Sequence, residues 1–237
     1  GITGSGKTEV YLQSIEKVLR YGRQALVLIP EISLTPQTEK RFRDRFNVPI
    51  VTLHSGLTDK QRLSAWMQAR DGTAKIIMGT RSAIFTPLQA PGLIILDEEH
   101  DQSYKQQEGF RYSARDLAVI RAQQENIPII LGSATPSLES LNNCHRGRYQ
   151  HLVLNTRAGN AVQPDWKVID LKTERSDSGI AATTLAAIGD TLKNNHQVLV
   201  FLNRRGYAPA MLCHQCGWTA ECKSCDSRLT VHRARSR

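Results

Sequence analysis

Residues 1–8 read GITGSGKT, which fits the pattern G-x-x-x-x-G-K-[ST] without a mismatch. In a glycine-rich turn of this kind, consecutive backbone N–H groups point inward and cradle the phosphates of a nucleoside triphosphate. An amphipathic run follows the loop and Gly22 ends it, so the loop is expected to open a helix whose N-terminus favours anions. The pattern therefore predicts a phosphate-binding α/β lobe.

The loop supplies the candidate nucleotide ligands, which are Gly1, Gly4, Ser5, Gly6, Lys7 and Thr8. Gly4 and Gly6 suit the turn because glycine adopts positive φ without a Cβ clash. Lys7 is predicted to reach the β- and γ-phosphates of ATP, and the Thr8 hydroxyl to bind Mg²⁺. Such a loop normally follows a strand and none precedes it here, so we expect the chain to be a piece of a longer protein.

An acidic tetrad follows a second informative stretch, residues 93–100, which read LIILDEEH. An apolar run that ends in carboxylates indicates a buried parallel strand, which delivers the acids to the carboxyl edge of a sheet. Asp97 is predicted to hold Mg²⁺ through its water shell, and Glu98 to orient and deprotonate the attacking water. Lys7, Asp97 and Glu98 are thus the predicted catalytic residues.

Strand and helix patterns alternate up to about residue 150. The apolar runs that read as strands are 25–30, 49–54, 74–80, 92–98 and 127–134. The helical runs between them include 35–46, 58–70 and 113–126, the last with a capping box formed by Ser113 and Asp116. This alternation predicts a doubly wound parallel sheet over residues 1–150, with ligands at the carboxyl ends of its strands.

A second α/β unit is predicted to begin after a Gly-, Asn- and Pro-containing linker at 155–166. Its predicted elements are a strand at 167–171, a helix at 183–195 and a strand at 197–203. The linker and the start of this unit together occupy residues 151–209.

Composition points to a polyanionic partner. The chain carries 31 Lys and Arg against 22 Asp and Glu, a formal charge of +9, which favours nucleic acid first. No stretch approaches the ~18 apolar residues of a membrane span.

Four of the five cysteines form the pattern C-x₂-C-x₅-C-x₂-C within residues 210–237, and they are Cys213, Cys216, Cys222 and Cys225. Four thiolates can close a tetrahedral Zn²⁺ site. The middle spacing is short, because zinc ribbons commonly separate the two pairs by about fifteen to twenty residues. We therefore interpret the pairs as two half-sites, each awaiting a further C-x₂-C pair.

Six motifs in order resemble those of a superfamily 2 helicase: GITGSGKTEVY, LIPEISLTPQ, GTRSA, DEEH, GSATPSLES and VLVFLNRRGYAP. The segment SYKQQEGFRYSARD after DEEH and the pair CHQC…CKSC narrow the resemblance to bacterial replication-restart helicases of the primosomal protein N′ family. The resemblance implies a RecA-like first lobe, the start of a second RecA-like lobe and a cysteine-rich zinc region.

The resemblance also implies a function. Such a protein is an ATP-driven 3′-to-5′ DNA helicase that recognises stalled or abandoned forks and initiates primosome assembly. Its partners are forked or single-stranded DNA, other primosome proteins and single-stranded DNA-binding protein, in the bacterial cytoplasm. Family members bind two Zn²⁺ ions with eight cysteines, of which four are present here. Because the late second-lobe motif is not matched, the chain alone is expected to bind nucleotide weakly and not to unwind DNA.

The residues predicted to contact DNA or to couple it to hydrolysis are Thr80, Arg81, His100, Tyr104, Phe110, Tyr112, Ser133 and Thr135. Thr80 and Arg81 end a strand, and a hydroxyl and a guanidinium there suit phosphate oxygens. The aromatic side chains of residues 101–115 are predicted to stack on unpaired bases while Lys105, Arg111 and Arg115 meet phosphates.

By resemblance, the motif of Ser133, Ala134 and Thr135 links hydrolysis to strand movement. His100 ends the acidic tetrad and is predicted to couple nucleotide to DNA rather than to bind a metal.

Two other functions are possible from the sequence. A different phosphate-loop ATPase, such as a transporter motor or a kinase, would carry a signature motif or a substrate lid, and neither is seen. A non-catalytic zinc-bearing module for DNA binding or assembly would have no need of Lys7, Asp97 and Glu98.

Overall fold

A computed structural model of the chain describes residues 4–157, 164–171, 173–174, 176–177, 180–201, 213, 216 and 218–223. The chain divides into two compact units, residues 1–162 and residues 163–237. One parallel sheet organises the first unit, and a helix and a short hairpin are described in the second. None of the helices in the described ranges is long and apolar enough to cross a membrane.

Five parallel strands form the central sheet of the first unit. The strands of this unit are β1 (Gln24–Leu28), β2 (Ile50–Leu53), β3 (Ile76–Gly79), β4 (Pro91–Leu96), β5 (Lys105–Gln106), β6 (Tyr112–Ser113) and β7 (Ile129–Leu131). The order across the sheet is β2-β3-β1-β4-β7, while β5 and β6 form a separate antiparallel hairpin. The five predicted strands and their parallel arrangement are confirmed.

Helices connect these strands on both faces of the sheet. They are α1 (Lys7–Arg20), α2 (Pro36–Arg45), α3 (Asp59–Arg70), α4 (Ala114–Gln124) and α5 (Leu138–His145). A complete capping box begins α3, where Thr58 and Gln61 exchange side-chain and backbone bonds. At α4 the Ser113 hydroxyl accepts from the Asp116 N–H, but the Asp116 carboxylate accepts from the Arg115 Nε instead of closing the predicted box.

Each face of the sheet has its own core, because successive strand residues point to opposite sides. Leu26 and Leu28 pack with α3 and α4, which present small alanine side chains to the sheet. Val27 packs on the other face with larger side chains, among them Ile15 of α1 and Phe42 of α2. Two-sided burial explains why the strands read as continuous apolar runs rather than as alternating ones.

The carboxyl edge of the sheet gathers the candidate site residues. Thr80 follows β3, Asp97 follows β4 and Gly132 follows β7. The N–H of Asp97 donates to the carbonyl of Leu28 at 2.9 Å, which extends the sheet by one residue at this edge. The topology therefore brings three sequence-distant motifs to one edge.

The second unit departs from the prediction. Its described elements are β8 (Ser176–Asp177), β9 (Ile180–Ala181) and α6 (Ala182–Lys193). The helix predicted at 183–195 is confirmed, but residues 167–170 and 197–201 form no strand, and 202–203 lie outside the described residues. Val168 and Leu199 are each 95% exposed, and within the described part of the second unit neither apolar run has the neighbouring strand and covering face that a parallel strand needs.

Candidate active site

The phosphate loop ends at the N-terminus of α1, beside the acids that follow β4. Gly4 and Gly6 have φ angles of 76° and 86°, the left-handed conformation predicted for them. No described side chain caps the first turn of α1, so its N–H groups suit an anion. The Ser5 hydroxyl is buried without a hydrogen-bond partner among the described residues. This polar cradle fits a phosphate group; Gly1 lies outside the described residues.

The loop lysine contacts the acidic tetrad directly. The Lys7 Nζ lies 2.6 Å from Glu98 Oε1, and both side chains are partly buried. Glu98 has φ of 45°, a left-handed conformation that costs a non-glycine residue about 1–3 kcal/mol. Backbone bonds on both sides hold it, from Glu99 N–H to the Gly132 carbonyl and from Asp101 N–H to the Glu98 carbonyl. The strained residue is therefore the one predicted to activate water.

Asp97 is held by a side chain that the sequence reasoning missed. The Tyr11 hydroxyl donates to Asp97 Oδ1 at 2.9 Å, from the second turn of α1. Burial raises the pKa of Asp97 above its ordinary value, as does the charge of Glu98, while the Tyr11 bond and Lys7 lower it. Burial also raises the pKa of Tyr11, which keeps this phenol a donor. A tyrosine four residues after Lys7, on the helix face toward the sheet, was the available signal, because buried phenols need an acceptor.

Gly132 makes room for this tyrosine. A Cβ at Gly132 would lie 1.6 Å from the Tyr11 hydroxyl oxygen, an impossible contact. The glycine that opens the GSAT motif is thus required by close approach of α1 to the end of β7. The phosphate-loop helix, the acidic tetrad and the GSAT motif meet at this point.

The structure corrects the stacking role predicted for Tyr104. Its ring is 1% exposed, so it has no face available to a base. Its hydroxyl donates to the carbonyls of Asp97 at 2.7 Å and Leu28 at 3.0 Å. Burial raises the pKa of Tyr104, which agrees with a permanently protonated donor. Tyr104 therefore positions the Asp97 backbone from inside the core.

His100 bridges the acidic tetrad to the loop after β7. Its Nδ1 lies 2.8 Å from Ser133 Oγ and 3.6 Å from Glu98 Oε2, and its Nε2 lies 3.3 Å from Thr135 Oγ1. The Thr135 N–H also donates to Ser133 Oγ at 2.9 Å. These predicted coupling residues are brought together within contact distance of the acid predicted to activate water.

An exposed aromatic tip projects from the same segment. The hairpin of β5 and β6 carries residues 107–111 at its turn, all of them exposed, with Phe110 77% exposed. The Phe110 ring lies 5.9 Å from the Tyr112 ring, and Tyr112 packs edge-on against Phe85 at 4.9 Å. Phe110 is thus an exposed ring, and the partly buried Tyr112 beside it packs against the core and supports it, an arrangement that suits base stacking.

Beside this hairpin the first unit has a cavity of about 720 Å³. Its lining includes Thr80, Arg81, Trp66, Phe110 and Tyr112. Thr80 is mostly buried and lines the cavity wall. The Arg81 Nη1 donates to the carbonyls of Ser103 and Lys105, which fastens the base of the hairpin to the end of β3. The predicted backbone-contact residues and the predicted stacking rings therefore share one concave surface.

Arg115, one of the cations predicted to meet phosphates, does not face this surface. It is 9% exposed and its Nη1 donates to Ser137 Oγ at 2.8 Å and lies 3.4 Å from Glu99 Oε2. The Arg115 Nε donates to Asp116 Oδ1. The prediction for Arg115 is wrong because its guanidinium is used inside the protein; Lys105 and Arg111 remain exposed.

The metal predictions have different outcomes. Thr8 lies in the first turn of α1 and Asp97 at the end of β4, the two positions predicted to hold Mg²⁺. Cys213, Cys216 and Cys222 are described, whereas Cys225 is outside the described residues. Across the described ranges, no three or more His, Cys, Asp or Glu side chains form a group suited to a metal ion. A zinc site closed by these cysteines alone therefore receives no support.

Comparison with known proteins finds relatives that match almost the whole chain. The chain is 57% identical over 232 residues to the replication restart protein PriA of Haemophilus influenzae, covering 98% of this chain and 32% of that protein. It is 42% identical over 236 residues to the replication restart protein PriA of Bacillus subtilis, covering 98% of this chain and 29% of that protein. The chain thus spans about a third of the length of these relatives. They confirm the resemblance to replication-restart helicases predicted from the motifs.

A solved structure, the Pyrococcus furiosus Hef helicase domain, is 25% identical with a TM-score of 0.44, covering 63% of this chain and 32% of that chain. The family model described as DEAD/DEAH box helicase matches residues 1–144, the stretch that holds the sheet, the phosphate loop and the acidic tetrad. Since this match covers more than half of the 237 residues, the chain belongs to the DEAD/DEAH box helicase family.

Proposed function

We propose that this chain is the ATP-binding part of a 3′-to-5′ DNA helicase that acts at stalled or abandoned replication forks and initiates primosome assembly. The observation that carries the proposal is a continuous set of contacts from Lys7 through Glu98 and His100 to Ser133. These contacts join a phosphate loop to the GSAT motif on a unit that also bears an exposed aromatic hairpin. A plain nucleotide-binding module has no need of that connection.

In this proposal the loop and the acids hold ATP and Mg²⁺. Gly4, Ser5 and Gly6 line the phosphates with N–H and hydroxyl groups, and the Lys7 ammonium neutralises their charge. Thr8 and Asp97 hold Mg²⁺, directly or through water. Bound ATP supplies the phosphoanhydride bond whose hydrolysis drives the motor.

Glu98 then acts on water. Its strained backbone and its contact with Lys7 fix the carboxylate at the edge where the phosphates are expected. A carboxylate held there can orient a water molecule and accept its proton. His100 contacts the same carboxylate at 3.6 Å, so its position would report the state of Glu98 to Ser133 and Thr135.

DNA is proposed to occupy the cavity beside the hairpin. Phe110 and Tyr112 offer ring faces to unpaired bases, a contact worth about 1–3 kcal/mol per base. Thr80 and Arg81 lie at the end of β3, where hydroxyl and guanidinium groups suit the phosphate backbone. The formal charge of +9 supports a polyanionic partner.

The finer assignments rest on sequence resemblance to the replication restart relatives. They are the 3′-to-5′ polarity, fork recognition, and the primosome and single-stranded DNA-binding protein partners. We also propose a first lobe at 1–150, a linker and second-lobe start at 151–209, and a zinc region at 210–237. In that region each C-x₂-C pair supplies half of one site, and the metal content of the full-length protein, with and without Cys213→Ser, tests this.

A strand-displacement assay on the full-length protein tests the proposal. The substrates are forked duplexes that carry a single loading strand, either 3′ or 5′. With ATP, the protein should unwind them only in the 3′-to-5′ direction. Lys7→Ala should abolish unwinding, whereas Lys17→Ala, which removes an exposed lysine of the same helix, should not. Equal unwinding by the wild type and Lys7→Ala, or unwinding in the opposite direction, would contradict the proposal.

A further inference from the structure

A second network lies behind the proposed ATP site and centres on Glu99, the third residue of the acidic tetrad. Its side chain is 1% exposed, so water does not solvate it. Oxygen Oε1 accepts from the Ser137 N–H at 2.6 Å. Oxygen Oε2 accepts from the hydroxyls of Ser137 and Ser140, each at 2.9 Å, and lies 3.4 Å from Arg115 Nη1. Four contacts on one buried carboxylate make it a fixed anchor.

The partners of Glu99 come from two other motifs. Ser137 is the N-cap of α5 and follows Thr135, a contact of His100, by two residues. Arg115 is the second residue of α4 and follows the β6 strand of the aromatic hairpin by two residues. Glu99 thus ties the acidic tetrad to the GSAT loop on one side and to the hairpin base on the other.

Arg115 is the part of this network that can change partners. Its Nη1 lies 3.7 Å from the exposed Glu139 carboxylate, and its Nε donates to the exposed Asp116 at 3.1 Å. Although burial lowers the pKa of Arg115, Asp116, Glu99 and Glu139 together raise it above the ordinary value, so the guanidinium stays charged. A permanent cation with one buried and two exposed carboxylates can shift between them without leaving Glu99 unbonded, because three serine donors remain.

We propose that Glu99 is a positioning residue that couples the aromatic hairpin to the GSAT loop. A shift of the hairpin moves Arg115, and Arg115 acts on Ser137 and Glu99. Ser137 lies next to the loop that places Ser133 and Thr135 on His100, and Glu99 is covalently joined to Glu98. The exposed rings and the proposed catalytic acid are therefore linked by buried polar contacts. This inference rests on the proposed function, because it needs a DNA-dependent ATPase.

The test uses the full-length protein and the ratio of steady-state ATP hydrolysis rates with and without single-stranded DNA. Arg115→Gln and Glu99→Gln should each lower that ratio by about tenfold or more, a coupling of ~1–3 kcal/mol. The KM for ATP and the affinity for DNA should change less than about threefold. Because a network acts as a unit, the Glu99→Gln, Arg115→Gln double variant should be no worse than either single variant.

Matched variants separate coupling from folding. Arg121 lies on the same helix, is partly buried and donates to the carbonyls of Ile84 and Thr86, but it does not contact Glu99. Arg121→Gln should lower stability and keep the ratio. Ser140→Ala removes one bond from Glu99 and should lower the ratio by a smaller factor, which keeps the test usable if Glu99→Gln does not fold.

The outcomes distinguish the two proposals. If the wild-type protein hydrolyses ATP at the same rate with and without DNA, the proposed function is overturned, and this inference with it. Two outcomes overturn this inference alone when DNA stimulates the wild type. In the first, Arg115→Gln keeps the wild-type ratio of hydrolysis rates with and without DNA; in the second, the effects of the two single variants add in the double variant. A ratio that also falls in Arg121→Gln does the same, because it assigns the effect to general loss of stability.

Discussion

The acidic tetrad and the hairpin tip lie close in sequence, Phe110 following His100 by ten residues, and they differ in how they are held. Lys7, His100 and backbone bonds fix Glu98, and Ser137 and Ser140 fix Glu99. Residues 107–111 are all exposed, and Gly109 among them has φ of 64° with no neighbouring atom near its Cβ position. One end of the segment is preorganised for chemistry and the other is free to meet a ligand.

Under the proposed function, this difference would let one segment serve both the nucleotide and DNA. Preorganised groups suit hydrolysis because they need no rearrangement during the reaction. Exposed rings suit a nucleic acid strand, since bases of any sequence can stack on them. Variants of the full-length protein can remove one side of this contrast at a time.

Loss of the loop lysine should have the largest effect. Lys7→Ala removes the ammonium that lies 2.6 Å from Glu98 and is proposed to bind phosphate oxygens. We expect kcat for ATP hydrolysis to fall by about 10²–10³-fold, as for removal of one preorganised charge-stabilising group. Steady-state hydrolysis measures this, with Lys17→Ala as the control; a loss below threefold would place the chemistry elsewhere.

Removal of the tip ring should separate DNA binding from the ATP site. Phe110→Ala should weaken binding of single-stranded DNA by about 5- to 150-fold, which corresponds to ~1–3 kcal/mol of stacking. Nucleotide affinity should stay the same because the ring contact of Phe110 is with Tyr112 of the hairpin, and none is seen with the described loop residues 4–8. Fluorescence anisotropy with labelled DNA and with a labelled nucleotide measures both affinities.

The control for this variant is Tyr21→Ala. Tyr21 is 74% exposed at the end of α1, near the start of β1 and so at the opposite edge of the sheet. Equal losses of DNA affinity in the two variants would mean that the hairpin has no special part in binding.

Tyr11→Phe should have a moderate effect confined to the ATP edge. It removes the bond that lowers the pKa of Asp97, so that pKa should rise further. The acidic limb of the pH profile of kcat/KM for ATP should then move to higher pH, with kcat reduced by about tenfold or less. Tyr21→Phe serves as the control, and an unmoved acidic limb would show that Asp97 does not govern it.

The smallest effect concerns stability. Burial raises the pKa of Asp97 above 3.8, so the folded state binds its proton more tightly than the unfolded state. Stability therefore falls as pH rises above the ordinary carboxyl range. Asp97→Asn should raise the urea midpoint at pH 7, with a gain that shrinks toward pH 4, although it removes activity.

The exposed Asp44 gives the matched control, since Asp44→Asn should leave the midpoint nearly unchanged. A lower midpoint for Asp97→Asn at pH 7 would mean that the charged Asp97 carboxylate stabilises the folded protein rather than destabilising it.

The fold of the first unit could be predicted from the sequence because its strands are buried on both faces and therefore form apolar runs. The phosphate loop and the acidic tetrad could also be located, since the topology fixes which residues follow each strand. The sequence could not predict the direction of a side chain that depends on tertiary contacts. Tyr104 and Arg115 are predicted to contact DNA but point inward, and no sequence pattern assigns a role to Tyr11, whose hydroxyl bonds Asp97. In the second unit the runs around Val168 and Leu199 have strand composition, but no strand among the described residues pairs with them.

The central claim is that DNA binding at the aromatic hairpin is coupled to ATP hydrolysis at the carboxyl edge of the sheet. Its most direct test is steady-state ATP hydrolysis by the full-length protein, measured with and without saturating single-stranded DNA. We predict a rise in kcat of about tenfold or more with DNA, and no such rise for Phe110→Ala under the same DNA concentration. Equal rates for the wild type with and without DNA would contradict the account.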